Sequence, residues 1–341
     1  MHDILPDLDA WLAQGHHIAI ATVIQTWGSS PRKVGARMAV NARGQMSGSV
    51  SGGCVEGAVV EAALQTLETG QPQLLHFGVA DETAWEVGLA CGGQIEVFVR
   101  PLEVPAFERV RAAIRAGRPV AQAMVIAGPR EVLGEQVVVV GGEEGRDAAQ
   151  DGVTRTLREA GCAALASGRP QRVRRPDLEV FADAILPPAT LVIVGGVHIS
   201  IALSKIAQVL GYRTVIVDPR RAFGSPERFP HADQLVQAWP DEALQSIGLG
   251  RTSAVAVLTH DPKLDDPALM VALPSPAFYV GALGSRNTQA KRRARLLEAG
   301  LTEAQLDRLH GPIGLDIHAQ TPEEIGLAIM AEVVRARNRM E

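Results

Sequence analysis

Two short segments set a cysteine beside paired glycines. SVSGGCVEG places Cys54 directly after Gly52 and Gly53, and AWEVGLACGG places Cys91 directly before Gly92 and Gly93. Glycines let a backbone approach a ligand closely. A cysteine near the start of a helix has its thiolate stabilised there, and the same helix end offers unpaired N–H groups to an anion. A helix-like run begins at Glu56, so Cys54 meets this description, while Glu56 itself reads as a capping residue. The opposing reading is a buried, inert thiol, the commoner fate of cysteine. Upstream, SSPRKVGARM sets Arg32 and Arg37 around a glycine. A guanidinium gives paired donors to phosphate oxygens; a turn with merely solvated charges is the alternative. The close pairs of Cys or His that a zinc site needs are missing, and a redox pair is neither supported nor excluded.

Another set of residues lies toward the C-terminus. Gly195-Gly196-Val197-His198-Ile199-Ser200 occupies the place of a dinucleotide-binding G-x-G-x-x-G, yet only the first glycine fits. Val197 stands where a glycine lets the backbone reach a pyrophosphate, and Asp218 ends the next strand where an acid usually holds a ribose hydroxyl. His198 reads as a structural or supporting group. In GALGSRNTQAKRRARLLEAG, the loop amides with Ser285 and Arg286 could hold a phosphate, whereas Lys291, Arg292 and Arg293 read as a solvated helix face. Thr321 with Glu324 three residues on is a capping box.

The elements that must position these residues fall into three segments: 1–102, 103–187 and 188–341. The first reads as a short helix, strands from Ile18, Arg37 and Gln94, and a helix from Glu56 to Gly70. The middle segment reads as a degraded copy of the first: VAQAMVIAGPR matches IAIATVIQTWGSSPR, GEQVVVVGG matches GARMAVNARG, and LEVFADAILPP matches IEVFVRPL. It has no counterpart of SGGCVEG or DETAWEVGLACGG, which places the chemistry in those segments. Cys162 sits in a helical Ala/Leu run and reads as core. The third segment alternates apolar strands (ATLVIVGG, RTVIVD, SAVAVLTHD, AFYVGALGS) with helices, the pattern of a doubly wound parallel sheet whose ligands bind beyond the strands' carboxyl ends. The fold class is therefore α/β: an N-terminal α+β domain with a degenerate second copy, then a Rossmann-like C-terminal domain.

Bulk properties narrow the function classes. Lys+Arg number 33 against Asp+Glu 38, a net charge of −5, which argues against broad nucleic-acid binding. Three cysteines do not form a disulfide framework. No apolar run approaches the ~18 residues of a membrane span, and the N-terminal stretch lacks a signal-peptide core. A cytoplasmic protein away from membranes is expected.

TWGSSPRKVGARMAV, SGSVSGGCVEGAV, AWEVGLACGG and IEVFVRPL resemble the N-terminal domain of the XdhC/CoxI family. LVIVGGVHIS, VIVDPRRAF, LTHDPKLDDPAL, YVGALGSR and GPIGLDIHAQTPEEI resemble its C-terminal Rossmann domain. The resemblance implies a xanthine dehydrogenase accessory protein without turnover of its own. Such a protein binds molybdenum cofactor (molybdopterin, with or without a nucleotide), protects it, supports its sulfuration by a cysteine desulfurase, and inserts it into a xanthine dehydrogenase-type molybdenum hydroxylase apoenzyme. It also implies a homodimer. By the same resemblance the contact candidates are Cys54, Cys91, Arg32, Arg37, Gly52, Gly53, Gly92 and Gly93, with the two sulfurs facing the cofactor's metal. Gly195, His198, Asp218, Ser285 and Arg286 are candidates for a nucleotide half. Two other classes remain open. An NAD(P)-linked oxidoreductase draws on the Rossmann pattern but is opposed by Val197 and by the lack of an evident catalytic Lys/His/Tyr set, so NAD(P) is not expected. A cysteine-based sulfur carrier would use Cys54 or Cys91.

Overall fold

Helix α1 (Leu5–Ala13) leads into β1 (Ile18–Trp27), whose largely apolar first seven residues are buried on both faces. Ala19, Ala21 and Val23 point to one side; Ile18, Ile20 and Ile24 point to the other. The structure is a computed structural model and describes residues 1–28, 32–78, 93–143 and 152–339. It divides into two compact units, Met1–Pro187 and Pro188–Glu341.

In the first unit the chain continues through β2 (Arg37–Asn41), β3 (Met46–Gly48), α2 (Glu56–Thr69), β4 (Gln73–Phe77) and β5 (Gln94–Pro101). Their antiparallel sheet has the order β3-β2-β1-β5-β4. Val55, Val59 and Ala63 lay α2 on its outer face, and α2 ends on Gly70 at φ 69°, a left-handed position that glycine takes without strain. Then follow α3 (Val104–Arg115), β6 (Val120–Ala127), β7 (Gln136–Val140), α4 (Gly152–Ser167), β8 (Gln171–Arg174) and β9 (Glu179–Ile185). The second sheet, β7-β6-β9-β8, repeats the order β2-β1-β5-β4, with α4 on its outer face. The repetition extends to a defect. The β1–β5 ladder slips between Val23 and Gln25, and the β6–β9 ladder slips between Val125 and Ala127, the corresponding positions. The inner faces meet through Ile24, Phe98, Met124, Ile126 and Phe181. Burying five such side chains contributes on the order of 10 kcal/mol before the cost of chain ordering.

The second unit runs through β10 (Thr190–Val194), α5 (His198–Val209), β11 (Arg213–Val217), β12 (Gln234–Val236), α6 (Pro240–Ile247), β13 (Ser253–Val257), α7 (Pro262–Ala272), β14 (Tyr279–Ala282), α8 (Arg286–Glu298), α9 (Glu303–Leu306), β15 (Leu309–His310) and α10 (Pro322–Arg339). All six strands are parallel in the order β12-β11-β10-β13-β14-β15, with helices on both faces. This is the doubly wound order in which the chain reverses direction between β10 and β13. The Thr321–Glu324 capping box opens α10: the Glu324 carboxylate accepts from the Thr321 N–H at 3.0 Å, and the Thr321 hydroxyl accepts from the Glu324 N–H at 3.2 Å.

One expectation fails here. Lys291 and Arg293 are surface residues of α8, but Arg292 is buried. Its Nη2 meets the Asp265 carboxylate at 2.8 Å and the Leu283 carbonyl at 3.1 Å. Helical rotation turns the middle residue of three consecutive cations inward, and a buried carboxylate makes that position tenable.

Candidate functional site

In the antiparallel first sheet, β1, β3 and β4 end on the same side from which β2 and β5 begin. Trp27 at the end of β1, the loop Ser49–Val55 after β3, and Gly93 just before β5 therefore lie on one side of the sheet. Trp27 pairs with Gln94 across the ladder, which sets the half-exposed indole beside the start of β5. Arg32, between β1 and β2, reaches that loop, its Nε donating to the Ser49 carbonyl at 3.1 Å. Gly93 is buried where the chain rejoins the sheet. Cys91 and Gly92 lie outside the described residues.

The Ser49–Cys54 loop is organised by a side chain that the sequence marks only as a cap. The Glu56 carboxylate accepts from the backbone N–H groups of Val50 (3.2 Å), Ser51 (2.9 Å), Gly52 (3.1 Å) and Gly53 (2.8 Å). It also accepts from the hydroxyls of Ser49 (2.7 Å) and Ser51 (2.5 Å). Gly52 at φ 78° and Gly53 at φ 120° supply the backbone angles that let the chain wrap around one carboxylate. Burial opposes ionisation of Glu56, but the hydroxyls of Ser49 and Ser51 and the loop amides outweigh it and hold its pKa at about 2. The loop N–H groups are thus turned onto the protein's own acid, a role the sequence alone does not give them. Cys54, next in sequence, is left exposed, one residue before Val55 at the N-cap of α2.

Arg37 does not join Arg32. It opens β2 facing inward, 3% exposed, and its guanidinium pairs with Asp183 of β9 at 2.9 Å. Five residues apart in sequence, the two arginines part because Arg32 lies in the connection between β1 and β2 and Arg37 in β2 itself. Burial raises the pKa of Asp183, with Arg37 acting against that rise. A further ionic group escaped the sequence. Arg172 of β8 donates to Glu96 of β5 at 2.6 Å and to Glu179 of β9 at 2.5 Å, and His76 of β4 lies 3.2 Å from Glu96. Glu96 and Glu179 are the glutamates of the matched strings IEVF and LEVF, the one signal that pointed to them.

In the second unit, the parallel direction brings Gly195, Asp218 and Ser285 to one edge of the sheet, as expected. Whether that edge suits a dinucleotide depends on its free donors and acceptors. The Gly196 N–H donates to Asp218 Oδ2 at 2.8 Å. Arg220 closes on the same carboxylate through its backbone N–H and Nε to Oδ1, both at 2.9 Å, and through Nη2 to Oδ2 at 2.8 Å. Burial opposes ionisation of Asp218, and these bonds reverse the balance and lower its pKa. A Cβ on Gly196 would overlap the Phe223 carbonyl, so the chain after β11 lies directly on the glycine turn. The Arg220 guanidinium stacks on the Phe223 ring at 4.0 Å. The Gly196 amide and the acid that would meet a ribose are thus bonded to each other and to Arg220, and neither is free for a dinucleotide. His198 is exposed at the start of α5; Ser285 caps α8 by accepting from the Thr288 N–H, with Arg286 exposed behind it. Among the described residues no group of His, Cys, Asp and Glu is arranged to hold a metal ion, and no helix is long and apolar enough to cross a membrane.

Comparison with known proteins places this geometry. A family model described as the XdhC and CoxI family matches residues 11–78, and one described as the XdhC Rossmann domain matches residues 191–333. The chain is 27% identical to a Bacillus subtilis protein described as a probable xanthine dehydrogenase subunit, over 98% of this chain and 97% of that protein. It is 25% identical to the molybdenum cofactor insertion chaperone PaoD of Escherichia coli, over 97% of this chain and 86% of that protein. A crystal structure described as a xanthine dehydrogenase from Bacillus halodurans matches with a TM-score of 0.75 and 25% identity, covering 99% of this chain and 96% of that one. The duplicated first unit carries one family pattern and the parallel sheet carries the other, in the same order along the chain, and the protein belongs to the XdhC/CoxI family.

Proposed function

We propose that the protein is a carrier for molybdenum cofactor. It takes the cofactor as cargo, protects it, supports its sulfuration by a cysteine desulfurase, and delivers it to a xanthine dehydrogenase-type molybdenum hydroxylase. The observation that carries this reading is the exposed Cys54 thiol on a pinned loop beside Arg32, in a chain similar along 97% of its length to an insertion chaperone. A thiolate is a soft donor suited to a metal that also binds sulfur. In this reading the Cys54 side chain offers sulfur to the metal, while Arg32 supplies positive charge for the phosphate of the pterin. A homodimer belongs to the same proposal.

The test is retention. Purified protein is mixed anaerobically with cofactor released from a donor enzyme, then desalted, and molybdenum is measured in the protein fraction. Stoichiometric retention by the wild type, weakened about tenfold or more in Cys54→Ala as for loss of a metal contact, is the expected result. Cys91→Ala is run beside it. Absence of retention by the wild type, under conditions where an authentic carrier binds, sinks the proposal. The exposed thiol also suits a sulfur carrier, and a persulfide found on Cys54 after incubation with a desulfurase, without cofactor retention, would favour that reading.

A further inference from the structure

Glu56 has far more to do than cap a helix. An N-terminal cap needs one or two hydrogen bonds, whereas this carboxylate collects four consecutive backbone N–H groups and two hydroxyls. Successive N–H groups converging on a point, with glycines at positive φ, form the concave arrangement by which proteins bind phosphate or carboxylate. Here the anion is built into the chain itself, just beyond the loop that surrounds it. The structure leaves one reactive group of that loop outward, the Cys54 side chain.

We infer that Glu56 is the positioning residue of the Cys54 loop: it fills the loop's anion-binding concavity, excludes ligand phosphates from it, and fixes the thiol outward as the only contact the loop offers. This deepens the carrier reading and rests on it for its meaning, because a loop that seized the cofactor's phosphate would present the wrong end of the cargo to Cys54. Glutamine cannot replace the acid, since its amide group would turn donors toward donors. Aspartate, one methylene shorter, cannot span from the first turn of α2 to all six donors.

The test reads the thiol itself and needs no cofactor, so its failure is separable from failure of the carrier reading. Alkylation of Cys54 by iodoacetamide is followed by peptide mass spectrometry across pH 6–9 (roughly the span in which cysteine thiols titrate), with acetate, inorganic phosphate or chloride at matched ionic strength. The wild type is expected to be indifferent to all three anions. In Glu56→Ala the carboxylate that holds the loop is gone, which leaves the thiol freer to react and the loop N–H groups open to an added anion. Alkylation at neutral pH should rise about three- to tenfold, and acetate or phosphate, but not chloride, should slow it saturably back toward wild type. Glu56→Gln should show the faster reaction without the anion response, because its side chain still fills the space. Superimposable pH profiles in wild type and Glu56→Ala, with no anion effect, would reduce Glu56 to a structural cap. Should the variants fail to fold, hydrogen exchange on the wild type decides: slow exchange at Val50, Ser51, Gly52 and Gly53 is expected, and unprotected amides there overturn the inference.

Discussion

Glu56 also fixes how the first unit responds to acid. Its pKa lies at about 2 in the folded chain against an ordinary 4.5. A depressed carboxylate contributes stability that is fully present above about pH 4.5 and is lost as pH falls toward 2, because only the unfolded chain takes up the proton in that window. The upper bound is about 3 kcal/mol, at about 1.4 kcal/mol per unit. Urea titrations at pH 7 and pH 3 should show Glu56→Gln less stable than wild type at pH 7, with the gap narrowing at pH 3. An undiminished gap would mean that the carboxylate's charge is not what the loop holds. At this scale the sequence was least informative. It marked Cys54, Arg32 and the glycines by type, but it could not show that the loop amides face Glu56, that Arg37 pairs with Asp183, or that Arg292 turns inward to Asp265. The two ion pairs depend on partners brought close by the fold, whereas the Glu56 contacts are local and depend on how Gly52 and Gly53 turn the loop.

Strands and helices were more legible. The apolar runs at Ile18, Val120, Thr190, Arg213 and Ser253 became strands because burial on both faces demands such runs. The strand Gln171–Arg174 was not read from the sequence, being short and rich in arginine; it is an outer strand whose arginines take part in ion pairs. The glycine turn after β10 shows how an element can keep a fold while its amide and acid turn onto each other. With Gly196 and Asp218 bonded to each other and Arg220 closed over them, millimolar NAD or NADP should leave the melting temperature unchanged within about 1 °C, where a ligand at a hundred times its Kd would add about 2.7 kcal/mol. A saturable shift, competed by ADP, would show that the clasp opens. Gly196→Ala should destabilise the second unit, because its added methyl meets the Phe223 carbonyl.

For the molecule as a whole, the duplicated sheets of the first unit invite a direct comparison of copies. Arg130 stands in the second copy where Arg32 stands in the first, but its Nε donates to Gln71 at 3.2 Å, and no glycine-cysteine loop accompanies it in sequence. Arg130→Ala should therefore retain cofactor within about twofold of wild type, whereas Arg32→Ala should lose about tenfold, the ordinary value of a charge-assisted contact. Equal losses would contradict the assignment of chemistry to one copy. The duplication itself was readable from matched strings, and its strand order and shared slip carry it further than the strings alone.

One arginine serves both copies, and that makes one half depend on the other. Arg172 belongs to the second copy yet answers Glu96 of the first and Glu179 of its own. The first half alone would leave Glu96 without the Arg172 guanidinium and turn Ile24 and Phe98 to water. A fragment of residues 1–102 should aggregate when expressed alone and become soluble when co-expressed with residues 103–187. A well-folded, soluble monomer of the first fragment would mean the twins never became dependent.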